Sequence, residues 1–246
     1  MPHRAGRKER GRAITTLCAA ILVTFGLVPS ARGEDGAWLD LSSAVVVAPP
    51  AASKVERNAL RMLLEAVDRR SGIRWQIRES WPASADAVVI AVGRESALKE
   101  TDLRLGPWLA RNAGGRGSEG YCIGVEAEGR GVLVSGSDAR GVLFGVGRLL
   151  RELRTGRGRV ELPANLRVAT APRLPLRGHQ LGYRPKTNSY DGWDLDEWER
   201  YMRDLATFGT NAIELIPPRS DDDSTSPHFP RPPMEMMVGM SRLADD

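Results

Sequence analysis

Cysteine, histidine and aromatic residues are scarce in this 246-residue chain, which has two cysteines, three histidines and 6 % aromatics. So few cysteines exclude a disulfide-stapled scaffold, and stability must come from an apolar core. Cys18 falls in the leading apolar run, which leaves Cys122 alone in the remainder. Flanked by Tyr121 and Ile123 in a strand-like segment, Cys122 reads as a buried core thiol, because no histidine stands near it in sequence to activate it as a nucleophile. His179 and His228 have no metal-ligand spacing and no HExxH pair is present, so neither a metal nor a cofactor is expected.

Long apolar runs are also few. One, at residues 13–29, follows a basic stretch with Arg4, Arg7, Lys8, Arg10 and Arg12, and it precedes the small-residue pattern Ala31-Arg32-Gly33. That is the three-part grammar of a secretory signal peptide, with Glu34 as the new N-terminus. A membrane anchor is the competing reading, but the run is short of the roughly 20 apolar residues a span needs. Export to the periplasm or the cell exterior is therefore expected, with no membrane contact after cleavage. Residues 1–33 carry a net +5 of the chain's +4, so the mature part is at −1. Such a balance gives no support to a nucleic-acid partner, which needs Lys and Arg clustered on a folded face.

What remains divides into two unequal parts. Residues 44–48 are a continuous apolar run ended by Pro49-Pro50, the pattern of a strand buried on both faces. Ser53 and Glu56 form a capping box, and Val55, Ala59, Met62, Leu63, Ala66 and Val67 recur at helical spacing up to Gly72. Further strands are expected around Ile73, Trp75 and Ile77, at 87–92, and at 121–127 and 132–135, the last two joined by the turn Glu128-Gly129-Arg130-Gly131. Ser137 is placed to cap a second helix reaching about Leu153. Its Gly141, Gly145 and Gly147 each weaken an isolated helix by about 1 kcal/mol, which points to close packing of its backbone on the sheet. After the connector Ala171-Pro172-Arg173-Leu174-Pro175 the rhythm becomes strand (176–183), helix (capped by Asp194 and Glu197), strand (211–216) and a helix from Pro233. This is the opening of a parallel array. The expected class is α/β: an α+β N-terminal domain (37–165) with a mixed sheet and helices on one face, followed by an incomplete (β/α)8 barrel (174–246), since a closed barrel takes about 250 residues.

Two stretches resemble known exported glycosidases. Glu119-Gly120-Tyr121-Cys122-Ile123, Val132-Leu133-Val134-Ser135-Gly136-Ser137 and Gly141-Val142-Leu143-Phe144-Gly145-Val146 follow the end of the N-terminal domain of the β-N-acetylhexosaminidases of glycoside hydrolase family 20. Ala171-Pro172-Arg173-Leu174-Pro175-Leu176-Arg177-Gly178 is similar to the "PRFP.RG" that leads into their first barrel strand. The related α-glucuronidases share the small domain ahead of a barrel. The resemblance implies a carbohydrate substrate and a sugar-hydroxyl contact for Arg177, a task suited to a planar guanidinium. A structural ion pair at the barrel entrance is the other reading of Arg177. The chain departs from the family at His179-Gln180-Leu181-Gly182-Tyr183-Arg184-Pro185 and at Asn211-Ala212-Ile213-Glu214-Leu215-Ile216. The family's catalytic Asp-Glu pair follows a later strand, so it is expected beyond Asp246 and no catalytic residue is assigned.

Other constellations are weaker. Gly136-Ser137-Asp138-Ala139-Arg140-Gly141 lacks the Lys-Ser/Thr of a phosphate loop. Glu214 stands near the carboxyl end of a strand, where barrel chemistry collects, and a salt-bridge partner is its plainer role. Tyr183, Tyr190 and Trp193 suit sugar stacking, whereas Trp198 belongs to a helix core stripe. Asp221, Asp222 and Asp223 are most simply a solvated loop. The candidate substrate contacts are thus Arg177, Tyr183 and Glu214. Three functional readings stay open: a β-N-acetylhexosaminide hydrolase, an α-glucuronidase acting on xylan side chains, and a non-catalytic glycan-binding or scaffold module.

Overall fold

The computed structural model describes residues 37–84, 86–102, 105–111, 117–126, 131–181, 189–215, 223, 225–227 and 229–246. The signal-peptide reading, Cys18, Tyr183, His228, Asp221 and Asp222 lie outside these residues. No helix among the described residues is long and apolar enough to cross a membrane.

In chain order the elements are β1 (Trp38–Asp40), β2 (Val45–Val47), α1 (Lys54–Ser71), β3 (Gln76–Arg78), β4 (Val89–Arg94), α2 (Glu95–Thr101), α3 (Leu105–Arg111), β5 (Tyr121–Glu126), β6 (Gly131–Gly136), α4 (Ala139–Glu152), β7 (Arg154–Gly156), β8 (Arg159–Pro163) and β9 (Arg167–Thr170). They are followed by β10 (Gly178–Gln180), α5 (Leu195–Thr207), β11 (Ala212–Glu214) and α6 (Pro233–Asp245). A six-stranded mixed sheet runs β3-β2-β4-β6-β5-β9, parallel from β3 to β6 and antiparallel at β5. Its last strand lies beyond the expected domain end at residue 165. A separate three-stranded sheet, β1-β8-β7, was not legible in advance because each strand is only three to five residues long.

The long helices α1 and α4 cover one face, where Leu63, Val67, Val146 and Leu149 pack on Ile90, Val92, Val132 and Val134. Alternation along each strand turns Ala91 and Leu133 to the opposite face. There the short helices α2 and α3 bring Leu98, Leu105, Trp108 and Leu109, so the mixed sheet has helices on its second face as well. The sequence reading left that face bare because seven-residue helices are too short to show a clear apolar period.

Local signals were met in detail for α1. Its Ser53–Glu56 capping box forms, and Gly72 ends it in the left-handed conformation at φ 74°. In α4 the cap is Asp138, not Ser137: Asp138 accepts the Gly141 N–H, while the Ser137 hydroxyl donates to the Gly120 carbonyl. The α4 glycines divide their task. Cβ atoms on Gly141 and Gly145 would press on the Gly120 carbonyl and on Val134 and Tyr121, as expected of packing on the sheet. Gly147 instead lets α4 approach the Thr207 backbone at the end of α5.

The second unit is a βαβ element, β10–α5–β11, whose two strands pair in parallel. Asp194 and Glu197 form the capping box of α5. Trp198, Met236 and Met240 make its small core with α6, bordered by Tyr190, Trp193 and Tyr201. Among the described residues these two strands do not close a barrel.

Candidate functional site

Pairing of Gly178 with Ala212, His179 with Ile213 and Gln180 with Glu214 puts the carboxyl ends of β10 and β11 side by side. In parallel βα arrays these ends carry ligands, because the following loops converge there. Glu214 is exposed, and its carboxylate meets no partner among the described residues. Gln180 is its lateral neighbour.

Arg177 is at the other end. It precedes β10, so three residues at roughly 3.3 Å each separate its level from that of Glu214. The structure therefore does not bring these two expected sugar contacts together. The Arg177 guanidinium donates to Glu119 Oε2 at 2.6 Å, to the Gly209 carbonyl at 2.6 Å and to the Leu174 carbonyl at 2.9 Å, and it stacks 5.1 Å over the Phe144 ring. This is the ion-pair geometry that the sequence left as the other reading.

Glu119 was not singled out from the sequence, although it heads the Glu119-Gly120-Tyr121 stretch that carries part of the resemblance. It is only 7 % exposed. Its backbone is left-handed at φ 61°, a conformation that costs a residue with a Cβ about 1 kcal/mol or more. Asp138 fixes it there by accepting the Glu119 N–H at 2.8 Å. The carboxylate accepts from Arg177, from Arg140 at 3.2 Å and from Asn211 Nδ2 at 3.2 Å to both oxygens. Burial pushes the Glu119 carboxyl up, and the bonds from Arg177, Asn211 and Arg140 more than reverse this, leaving it below the ordinary glutamate value. The missed signal was a charged residue, in a glycine-rich segment, at a position where glycine or asparagine would sit without strain.

The aromatic candidates form a cluster. Trp193 lies 5.2 Å from Trp198 and 5.3 Å from Tyr201, Tyr190 is 6.3 Å from Trp193, and the His179 ring meets Tyr201 edge-on at 5.7 Å. Tyr190 and Trp193 are partly buried by this packing and present only part of their faces. The buried Trp198 Nε1 and Tyr201 hydroxyl find no hydrogen-bond partner among the described residues, and burial pushes the Tyr201 phenol up. Cys122 is buried in the sheet, and Asp223 accepts from Thr225 in a local turn. No group of three metal-ligating side chains converges among the described residues.

No sequence-family profile matches the chain, and no curated protein does. Solved structures do share its fold. CpGH84B matches with a TM-score of 0.57 at 17 % identity, over 85 % of this chain and 33 % of its own. The family GH115 4-O-methyl-α-glucuronidase BtGH115A, with specificity for decorated arabinogalactans, matches with a TM-score of 0.51 at 16 % identity, over 72 % of this chain and 25 % of its own. A GH20 exo-β-N-acetylglucosaminidase from Vibrio harveyi gives a TM-score of 0.48 at 12 % identity, over 74 % of this chain and 23 % of its own. The chain thus spans a third or less of these proteins, and what it shares with the first two of these glycoside hydrolases is their fold over that part.

Proposed function

We propose that this chain is part of an exported glycoside hydrolase acting on β-N-acetylhexosaminides in glycan catabolism. The observation that carries this reading is the exposed Glu214 carboxylate at the carboxyl ends of the parallel strands β10 and β11, in a fold shared with glycoside hydrolases. A carboxylate there is suited to accepting hydrogen bonds from sugar hydroxyls, with Gln180 beside it and Tyr183 following in sequence as a further contact. The α-glucuronidase reading is less favoured, because Glu214 would meet the negative charge of a glucuronosyl group.

The test is saturation-transfer NMR of the full chain with N-acetylglucosamine oligomers and with glucuronate-bearing xylan oligomers. Saturable, Glu214-dependent contact with the neutral sugar is expected, with a Kd on the order of 1 mM. Contact that survives Glu214→Ala, or a preference for the glucuronate ligand, would overturn the proposal. Turnover of a nitrophenyl N-acetylglucosaminide by these 246 residues is not expected. N-terminal sequencing of the exported protein should begin at Glu34.

A further inference from the structure

The fold puts a carboxylate where the backbone disfavours any side chain. Glu119 is held left-handed and buried, and that carboxylate reaches out of the small unit to the segments that launch both strands of the second one. On the β10 side it takes the Arg177 guanidinium, whose other bonds tie down the Gly209 and Leu174 carbonyls. On the β11 side it takes Asn211 Nδ2, which also donates to the Pro175 carbonyl at 2.8 Å. Asn211 and Arg177 are themselves locked together: the Arg177 N–H donates to Asn211 Oδ1 at 2.8 Å and the Asn211 N–H to the Arg177 carbonyl at 3.1 Å. One acid therefore bonds to the residues that precede both β10 and β11.

We infer that Glu119 is a positioning residue: by holding Arg177 and Asn211 it fixes the register of β10 against β11, so that Gln180 and Glu214 stand side by side at the far end. The role for sugar binding rests on the function proposed above; the positioning itself does not. Glycine at this position would relieve the backbone and remove the tie, so Glu119→Gly separates a loop-shaping role from a positioning role.

Hydrogen exchange of the full chain, resolved by segment, provides the test. In Glu119→Gly, amides of β10 and β11 should exchange on the order of tenfold faster, while those of β5 and β6 keep their protection. Glu119→Gln keeps the shape and one acceptor oxygen, so it retains one of the two Asn211 contacts and one arginine contact at most, and should give a smaller rise confined to the same strands. Unchanged β10 and β11 protection in both variants, or equal loss in β5 and β6, would overturn the inference. A second readout is pH. The groups facing the Glu119 carboxylate are Arg177, Arg140 and Asn211, with Asp138 on its N–H. After correction for intrinsic rates, β10 and β11 in the wild type should open as pH falls below the ordinary glutamate range, and Glu119→Gln should abolish that step. A step that persists in Glu119→Gln would exclude this acid as its origin. None of these measurements needs a sugar, so failure of the carbohydrate reading leaves them standing. Where the wild type binds sugar, Glu119→Gln should weaken binding severalfold with Glu214 intact, and unchanged affinity would limit Glu119 to the loop.

Discussion

The two units bury their apolar residues by different means. In the small unit, a six-stranded sheet is covered on both faces, and residues such as Leu63, Val67, Ile90, Leu133 and Leu149 lie at 0 to 1 % exposure. The β10–α5–β11 unit has two strands and one compact cluster around Trp198, and its neighbourhood leaves Leu176 and Phe208 at 70 % exposure. A sheet with neighbours on both faces is held by its own core. A two-stranded element is marginal alone and leans on what it touches. Here the contacts include α4 against α5 at Gly147, Arg151 over Phe208, Arg203 of α5 with Glu65 of α1, Lys54 and Asn58 of α1 with Asp246, and the Glu119 tie, so the second unit takes its position from the first.

Core truncation tests that dependence most strongly. Leu149→Ala removes contacts under the sheet and should cost about 2–5 kcal/mol in urea denaturation, loosening both units together. Trp198→Ala should cost a similar amount locally, about 3–5 kcal/mol, yet leave exchange protection of β4 and β6 close to wild type. If the sheet melts with Trp198→Ala as it does with Leu149→Ala, the asymmetry is refuted. The junction comes next. A Cβ on Gly147 would collide with the Thr207 backbone, so Gly147→Ala should cost about 1–3 kcal/mol and raise exchange in α5 and β11 more than in β2 or β4. A uniform change would show that the junction carries no special share. Acid titration gives the smallest effect. Burial pushes the Glu56 carboxyl up, and its bonds from Ser53 and Arg94 bring it below the ordinary 4.5. A lowered folded value means stability that is present above the ordinary value and lost as pH falls through the lower one. Glu56→Gln should therefore flatten the thermal stability of the small unit below about pH 4.5, measured by melting at stepped pH.

Much of the fold was legible because its signals are local. The run at 44–48, the capping boxes at Ser53 and Asp194 and the periodicity of α5 each depend on residues within one or two turns, and each element formed where expected. The parallel order of β10 and β11 also followed from strand-helix-strand spacing. The elements that escaped were short: α2, α3, β1 and β7 have too few residues to show a period. Gly147 escaped for another reason, since its partner Thr207 is 60 residues away and no spacing rule links them.

The site was less legible. Glu214 could be placed at a strand's carboxyl end from sequence order alone. That Arg177 lies at the opposite end follows from its place before β10, and its commitment to Glu119 required knowing that a residue 58 positions earlier folds beside it.

The sequence by itself determined much of the composition of each layer: where the longer strands and helices lie, where α1 and α5 are capped, and that residues 34–246 are close to neutral. Those depend on short-range backbone geometry and on burial of apolar faces, both written into neighbouring residues. Only the tertiary structure decided that Glu119 adopts a left-handed backbone and meets Arg177, Arg140 and Asn211. A salt bridge is specified by distance and direction between remote groups, and chain order carries neither.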